Sequence, residues 1–343
     1  MNAPVKVSLK PKDYATDQEV RWCPGCGDYA ILKSMQKTMS RLGVDPDQTV
    51  FVSGIGCAAR FPYYMATYGF HTIHGRAAAI ATGVKIANPA LDVWVISGDG
   101  DSLSIGGNHL LHLLRRNVDV QYLLFNNEIY GLTKGQYSPT SRSGTRSPSS
   151  PDGSMDRPVH PATFAFGAGA RFVARATDVG QAVLGEVLER ARAHRGTSFV
   201  EILQNCIVYN DAIFDQLTDK KVSADHLIEL RHGEPLIFGR DSDKGIRWDA
   251  DRFELQVLSL NDSLNDSTVS EDDLLKHDQR NPVLARLLAE MSGPEFPLAV
   301  GVIYDNPDDS FEQRHAVGSR EIPDNLDDLN KLFLSGQTWV VKN

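Results

Sequence analysis

The chain has few cysteines, four in 343 residues, and no run approaching the roughly 18 consecutive apolar residues of a membrane span. Its amino-terminal stretch "MNAPVKVSLKPKDYATDQEV" lacks the apolar core of an export signal. A cytoplasmic, reducing setting without membrane contact is therefore expected, and there disulfides are rare. Positive charge is also short: 35 Lys and Arg stand against 44 Asp and Glu, a net charge of −9. That balance argues against nucleic acid, which needs a basic footprint. There is no internal repeat. An apolar fraction of 41% and a charged fraction of 23% are those of a globular domain, so the cysteines need an explanation other than stapling a small core.

Residues 28–42, "DYAILKSMQKTMSRL", place Ile31, Met35, Met39 and Leu42 on one helical face, with Gly43 as C-cap. "TVFVS" (49–53), "DVWVIS" (92–97), "VQYLLF" (120–125), "RFVARA" (171–176) and "TSFVEIL" (197–203) read as short buried strands. Between them, 76–88, 104–117 and 178–194 read as helices, the last opened by Asp178. Such alternation implies an α/β fold with a mostly parallel sheet covered by helices on both faces, closed by the strand at 197–203. Residues 135–158, dense in Ser, Pro, Gly, Thr and Arg, read as a loop, either a linker or a cover for a site. Residues 1–210 form the expected binding domain, and 211–343 an irregular acidic arm that wraps a partner or covers the site. Trp248, Phe253, Phe296, Phe333 and Trp339 give that arm side chains to bury.

"GDGDS" (98–102) follows one strand and "NNEIYGLT" (126–133) the next, which places both at the carboxyl edge of the sheet, where open α/β folds bind ligands. Asp99 and Asn127 offer the hard oxygen donors that Mg²⁺ takes beside a diphosphate. Gly98 and Gly100 allow close backbone approach, and a helix opening after 102 can aim N–H groups at phosphate. GDG, then 25 residues, then NN resembles the thiamine-diphosphate motif of enzymes that decarboxylate 2-oxo acids. That resemblance implies Mg²⁺ bound by the side chains of Asp99 and Asn127 and the carbonyl of Ile129. It also implies a diphosphate held by Gly100, Asp101, Gly131 and Leu132.

Cys23 and Cys26 form a C-x-x-C pair, while Cys57 and Cys206 each lie just past an expected strand. Parallel strands would carry those two thiols to the same edge as the GDG turn. Four cysteines suit a [4Fe–4S] cluster or a zinc ion, and a C-x-x-C alone could be a redox dithiol. One local pair plus two scattered cysteines fits a cluster better than structural zinc.

Together "WCPGCG", "GIGC", "HGRA", "GDGD" and "NNEIYGLTKGQ" resemble the thiamine-binding β subunit of the 2-oxoacid:ferredoxin oxidoreductases, closest to the 2-oxoglutarate branch, over residues 15–210. The resemblance implies that Ile55, Gly56, Cys57 and Ala58 line the thiamine and that His74 faces it. Arg60 stands where relatives carry a basic residue and is expected to pair with a carboxylate of the 2-oxo acid. The implied reaction is coenzyme A-dependent oxidative decarboxylation, with electrons passing through the cluster to ferredoxin. An α subunit would supply the pyrimidine-binding domain and the activating glutamate, in an α2β2 assembly whose isolated β chain is inactive.

Overall fold

The structure is a computed structural model that describes residues 9–260, 270–318, 326–336 and 339. Eleven strands are present among them. β1 (Thr49–Ser53), β2 (Tyr68–His71), β3 (Asp92–Gly98), β4 (Gln121–Asn126), β5 (Phe172–Thr177) and β6 (Ser198–Leu203) come first. β7 (Leu227–Leu230), β8 (Ile237–Phe238), β9 (Lys244–Asp249), β10 (Glu254–Ser259) and β11 (Leu298–Asp305) follow. Eight of them form one sheet in the order β2-β1-β3-β4-β6-β5-β11-β7, and β10-β9-β8 form a small antiparallel sheet.

Every residue of β1, β4, β5 and β6 is buried, as expected of strands with helices on both faces. α1 (Asp28–Leu42) and α6 (Gln181–Ala193) cover one face, over Phe51, Trp94, Leu123 and Val200. α2 (Ala77–Ala87), α4 (Gly107–Arg116), α5 (Pro161–Gly167) and α9 (Pro282–Glu290) cover the other, over Val52, Val95, Leu124 and Phe199. The short α3 (Asp99–Leu103), α7 (Asp215–Thr218) and α8 (Ser223–His226), with α10 (Phe311–Gly318) and α11 (Leu326–Leu334), complete the helices. On α1 the expected stripe holds: Ile31, Met35 and Met39 are fully buried, and Gly43 adopts φ +59° as the left-handed C-cap.

The expected α/β class stands, with four local differences. The strand at 198–203 does not close the sheet, because β11 pairs antiparallel with β5, and β7 pairs parallel with β11. Residues after 210 thus supply two strands of the main sheet. Asp178 does not cap α6, which begins at Gln181 after Gly180; its buried carboxylate instead accepts the N–H of Asn205 at 3.0 Å. The helix expected at 104–117 is present as α4, but a separate short helix, α3, precedes it and places Asp99, Gly100 and Asp101 in its first turn. Of the five aromatics expected to be buried in the carboxy-terminal stretch, only Phe296 packs on the core. Trp248, Phe253, Phe333 and Trp339 are exposed. Trp248 and Phe253 lie on the small sheet and its turn, where nothing in the described chain covers them and they meet edge to face at 6.3 Å. Most of the acidic run at 261–273 lies outside the described residues.

One charged pair is buried inside the sheet. Arg175 on β5 and Glu201 on β6 are 4% and 2% exposed, and Nε lies 2.8 Å from Oε2. Arg175 Nη1 also donates to the carbonyl of Ala299 on β11 at 3.2 Å. Breaking such a pair strands a charge in the interior. Arg175→Ala is expected to lower the unfolding free energy by about 3–5 kcal/mol, and Arg175→Met with Glu201→Leu by much less. Urea denaturation of both variants measures this, and equal losses would show that the pair does not act as a unit.

Candidate active site

The site is assembled by strand register. β1, β3, β4, β6 and β5 are mutually parallel, with Ser53 beside Ile96, Gly98 beside Phe125, and Asn126 beside Leu203. Their carboxyl ends therefore release "GIGC", "GDGDS", "NNEIYGLT" and "QNC" at one edge. A cavity there is lined by Ile55, Gly56, Cys57, Ala58, His74, Asp99, Gly100, Asp101, Asn127, Ile129, Gly131 and Leu132. Every residue the sequence assigned to a thiamine diphosphate and its metal lines it.

Asp99 is 2% exposed, and its Oδ2 accepts hydroxyl hydrogen bonds from Ser138 at 2.5 Å and Thr140 at 2.6 Å. Burial pushes its carboxyl up to about 6, with those two hydroxyls opposing the shift. The donors come from the loop at 135–158, which contains neither helix nor strand and folds onto the site. Ser141 Oγ donates to the carbonyl of Glu128 at 2.5 Å, and Arg142 Nε lies 3.2 Å from Glu128 Oε2. Asn127 Nδ2 donates to Gln204 Oε1 at 2.9 Å, which orients the amide so that Oδ1 accepts the Ile129 N–H at 3.2 Å. Tyr130 lies against Gly100, its hydroxyl donating to the Gly100 carbonyl at 3.0 Å; a side chain at Gly100 would collide with that ring.

Asp101 turns its carboxylate inward. Oδ1 accepts the N–H of Gly75 at 2.6 Å and of Ile55 at 3.2 Å and meets His74 Nδ1 at 2.5 Å; Oδ2 accepts the Ser97 hydroxyl at 2.6 Å. Only its main chain remains to face a diphosphate. Its bond to Asp101 through Nδ1 fixes the His74 ring in the cavity wall.

The cysteine turns are tied together by hydrogen bonds. Trp22 Nε1 donates to the Cys57 carbonyl at 2.8 Å, Gly27 N to the Asn205 carbonyl at 3.2 Å, and Gln204 Nε2 to Cys26 Sγ at 3.2 Å. A methyl group at Gly131 would sit 3.5 Å from both Cys57 Sγ and Cys206 Sγ, so the two sulfurs flank that glycine. Burial pushes the Cys57 thiol up to about 12, reinforced by Asp28 and then Cys206 and Cys23, while Arg60 opposes. Burial and the Asp28 carboxylate likewise raise Cys26. Cys23 is exposed. Among the described residues no group of three or more His, Cys, Asp or Glu side chains stands where it could hold a single metal ion.

Arg60 lies in an adjoining cavity that shares Ile55, Gly56 and Leu132 with the first and also holds Arg21 and His71. Its Nε donates to the Tyr64 hydroxyl at 3.3 Å.

Residues 54–202 match the thiamine pyrophosphate enzyme family, C-terminal TPP binding domain. The chain is 46% identical over 339 residues to the 2-oxoglutarate oxidoreductase subunit KorB of Mycobacterium tuberculosis, spanning 97% of this chain and 88% of that one. This chain belongs to the family of 2-oxoacid:ferredoxin oxidoreductase β subunits. The 2-oxoacid:ferredoxin oxidoreductase 1 β subunit of Aeropyrum pernix is 49% identical over 198 residues, 58% of this chain and 62% of that one. A solved 2-oxoglutarate:ferredoxin oxidoreductase from Magnetococcus marinus, with 2-oxoglutarate, coenzyme A and succinyl-CoA bound, superposes with a TM-score of 0.74 at 31% identity, covering 96% of this chain and 97% of that one.

As a β subunit of this family the chain carries the thiamine diphosphate-binding domain, and it is one part of a multi-subunit oxidoreductase. Sequence reasoning missed Ser138, Thr140, Gln204 and Asp28. The first two lie in a loop that composition marked only as irregular. Gln204 stands two residues before Cys206, a spacing with no motif of its own. Asp28 opens α1, lines the cofactor cavity and is 1% exposed, and neither of its oxygens has a hydrogen-bond partner.

The inward carboxylate of Asp101 separates its structural role from a diphosphate role. Asp101→Ala is expected to cost about 3 kcal/mol of stability in protein stripped of thiamine diphosphate, because several buried donors lose a charged acceptor. Chemical denaturation of the stripped protein tests this; unchanged stability would return the carboxylate to the cofactor.

Proposed function

We propose that this β subunit, with a partner α subunit, converts 2-oxoglutarate and coenzyme A to succinyl-CoA and CO₂, or runs the reverse. A [4Fe–4S] cluster held by this chain's cysteines would supply the electron exit towards ferredoxin. The single observation that carries the reading is the convergence of Asp99, Asn127, Ile129, His74 and Cys57 on one cavity, with Cys206 just behind its lining residue Gly131. The names of the curated relatives and the ligands of the Magnetococcus marinus enzyme favour 2-oxoglutarate among 2-oxo acids.

Mg²⁺ would be held by Asp99, Asn127 and the Ile129 carbonyl. The donor set fits: the Ser138 and Thr140 hydroxyls both go to Oδ2 of Asp99, leaving Oδ1 with no side-chain partner, and burial leaves that acid in need of a cation. Thiamine diphosphate, when bound, supplies the electron sink for breaking the bond to CO₂. His74, fixed by Asp101, faces the cofactor, while Gly100 and Gly131 leave room for it. Arg60, in the cavity next door, would orient the substrate through a carboxylate.

Cys23, Cys26, Cys57 and Cys206 would hold the cluster. A single zinc ion needs four donors converged on one point. In a cubane each cysteine binds a different iron, so the sulfurs stand around a larger body. Cys57 and Cys206 flank Gly131 rather than meeting at one point, an arrangement that suits the cluster better than a single ion, and the exposed Cys23 would bring the electron exit near the surface.

The cavity of about 190 Å³ falls below the roughly 300 Å³ at which small-molecule sites begin. This chain would therefore enclose only part of the cofactor, and the α subunit would complete it in an α2β2 assembly.

Anaerobic co-expression with the α subunit should give a brown protein with about four irons per β chain. It should reduce a low-potential viologen dye faster with 2-oxoglutarate than with pyruvate. A colourless, zinc-containing product would reject the cluster, and preference for pyruvate would reject the substrate. Asp99→Ala should lose thiamine diphosphate on gel filtration. Arg60→Ala should lower kcat/KM about 10²-fold, corresponding to a charge-assisted contact of about 3 kcal/mol. Unchanged kinetics would leave Arg60 without a substrate role.

A further inference from the structure

We propose that a second cavity, at the opposite edge of the main sheet from the cysteines, binds a small, multiply charged phosphate-type oxyanion. It lies where β4 and β5 begin and β11 ends, and is lined by Arg115, Arg171, Arg286 and Arg314, with Asp308 as the one carboxylate of its lining. The four arginines come from separate places: the end of α4, the turn before β5, α9 and α10. Their gathering runs against a chain whose net charge is −9.

Guanidinium groups stay charged at any working pH, so four around one hollow repel unless an anion joins them. The chain supplies little of that anion. Asp308 Oδ2 is taken by Arg171 Nη2 at 2.5 Å, and its Oδ1 accepts the N–H of Asp309 at 2.9 Å. Arg314 Nη2 donates to the carbonyl of Arg116 at 2.6 Å and Arg286 Nη1 to that of Pro282 at 3.3 Å. Arg286 also lies over the Phe166 ring at 5.9 Å. These are neutral anchors: they fix each guanidinium while leaving most of its five N–H donors free. Arg115 makes no ion pair among the described residues.

A cavity of about 360 Å³ is within the range of small-molecule sites, roughly 300–1,000 Å³. Its concave shape and forked donors suit the tetrahedral oxygens of phosphate better than an extended acidic segment of another protein. Because Arg286 and Arg314 belong to the stretch after residue 210 and Arg115 and Arg171 to the stretch before it, a bound anion would pin the two together.

The test uses the co-expressed complex saturated with thiamine diphosphate, so that its own diphosphate site is filled, and inorganic pyrophosphate as the probe in calorimetry. Binding at one site per β chain is expected, weakened at least tenfold in the double variant Arg115→Ala, Arg286→Ala. Arg115 and Arg286 are exposed, and circular dichroism and dye reduction by the variant should be unchanged. The double replacement by Lys should fall between the two, since it keeps charge and loses the fork. Pyrophosphate binding that is absent, or equal in wild type and the Ala variant, would overturn the proposal. Binding of polyglutamate through these arginines with no binding of pyrophosphate would overturn it as well, and would assign the surface to an acidic protein partner.

Discussion

The carboxylate of Asp101 sits where three loops meet, and each brings a donor to it: Ile55 N–H from the turn after β1, Gly75 N–H with the His74 ring from the turn before α2, and the Ser97 hydroxyl from the end of β3. A parallel sheet brings loop bases to one edge but leaves their tips free. A buried charge with four ligands removes that freedom, since no loop can move without leaving a charged oxygen unsatisfied in the interior. His74 and the "GIGC" turn owe their positions at the cavity wall to this acid, although neither touches it through the groups that would face a ligand.

A second chain of contacts reaches the same cavity from the far side of the sheet. The Ala299 carbonyl on β11 accepts from Arg175, which pairs with Glu201. Glu201 Oε1 accepts from Asn126 Nδ2 at 2.8 Å, Asn126 Oδ1 from the Thr140 hydroxyl at 2.9 Å, and Thr140 donates to Asp99. Apart from Thr140 and Asp99, each link joins neighbouring strands or spans the sheet's end. The carboxy-terminal stretch is thus coupled to the acid expected to hold the metal, a role that an added arm would not have. The same chain gives the irregular loop its fixed place, since the single hydroxyl proton of Thr140 lies between the oxygens of Asp99 and Asn126.

Much of this was legible in the sequence, because the signals were local. The strands at 49–53 and 198–203 are short, mostly apolar runs, as burial on both faces requires, with Glu201 the one charge among them and paired with Arg175. The glycines and acids of "GDGDS" sit directly after a strand, so their place at the edge follows from chain direction alone. β11 carries a similar apolar run, obscured by the acidic, irregular stretch around it, and its pairing with β5 and β7, through residues 71 or more positions away, left no local signal of its place in the sheet. β2 was hidden for another reason: all four residues are exposed, so hydrophobicity could not mark it, and only pairing with β1 makes it a strand. Ser138 and Thr140 escaped because hydroxyl residues in a loop look the same whether they face water or a buried carboxylate. The exposed Trp248 and Phe253 show the limit of inferring burial from residue type, since a two-layer patch with one side uncovered still needs apolar residues for its own strands.

The cysteines gain their meaning from where the sheet delivers them. Cys57 follows β1 and Cys206 follows β6, with β3 and β4 between those strands in the sheet. Gly131, from the turn after β4, stands between the two sulfurs without a side chain to fill the gap. The C-x-x-C turn closes over them through Trp22, Gly27 and Gln204. Gln204 has a second tie, accepting from Asn127, a residue of the proposed metal site. One amide side chain therefore touches both the sulfur turn and the cofactor cavity. On the proposed reading the two centres would exchange electrons, and a shared rigid wall would keep their separation, and so the transfer, constant. Here the wall is made of residues from β1, β4 and β6, the same strands whose register fixes the fold.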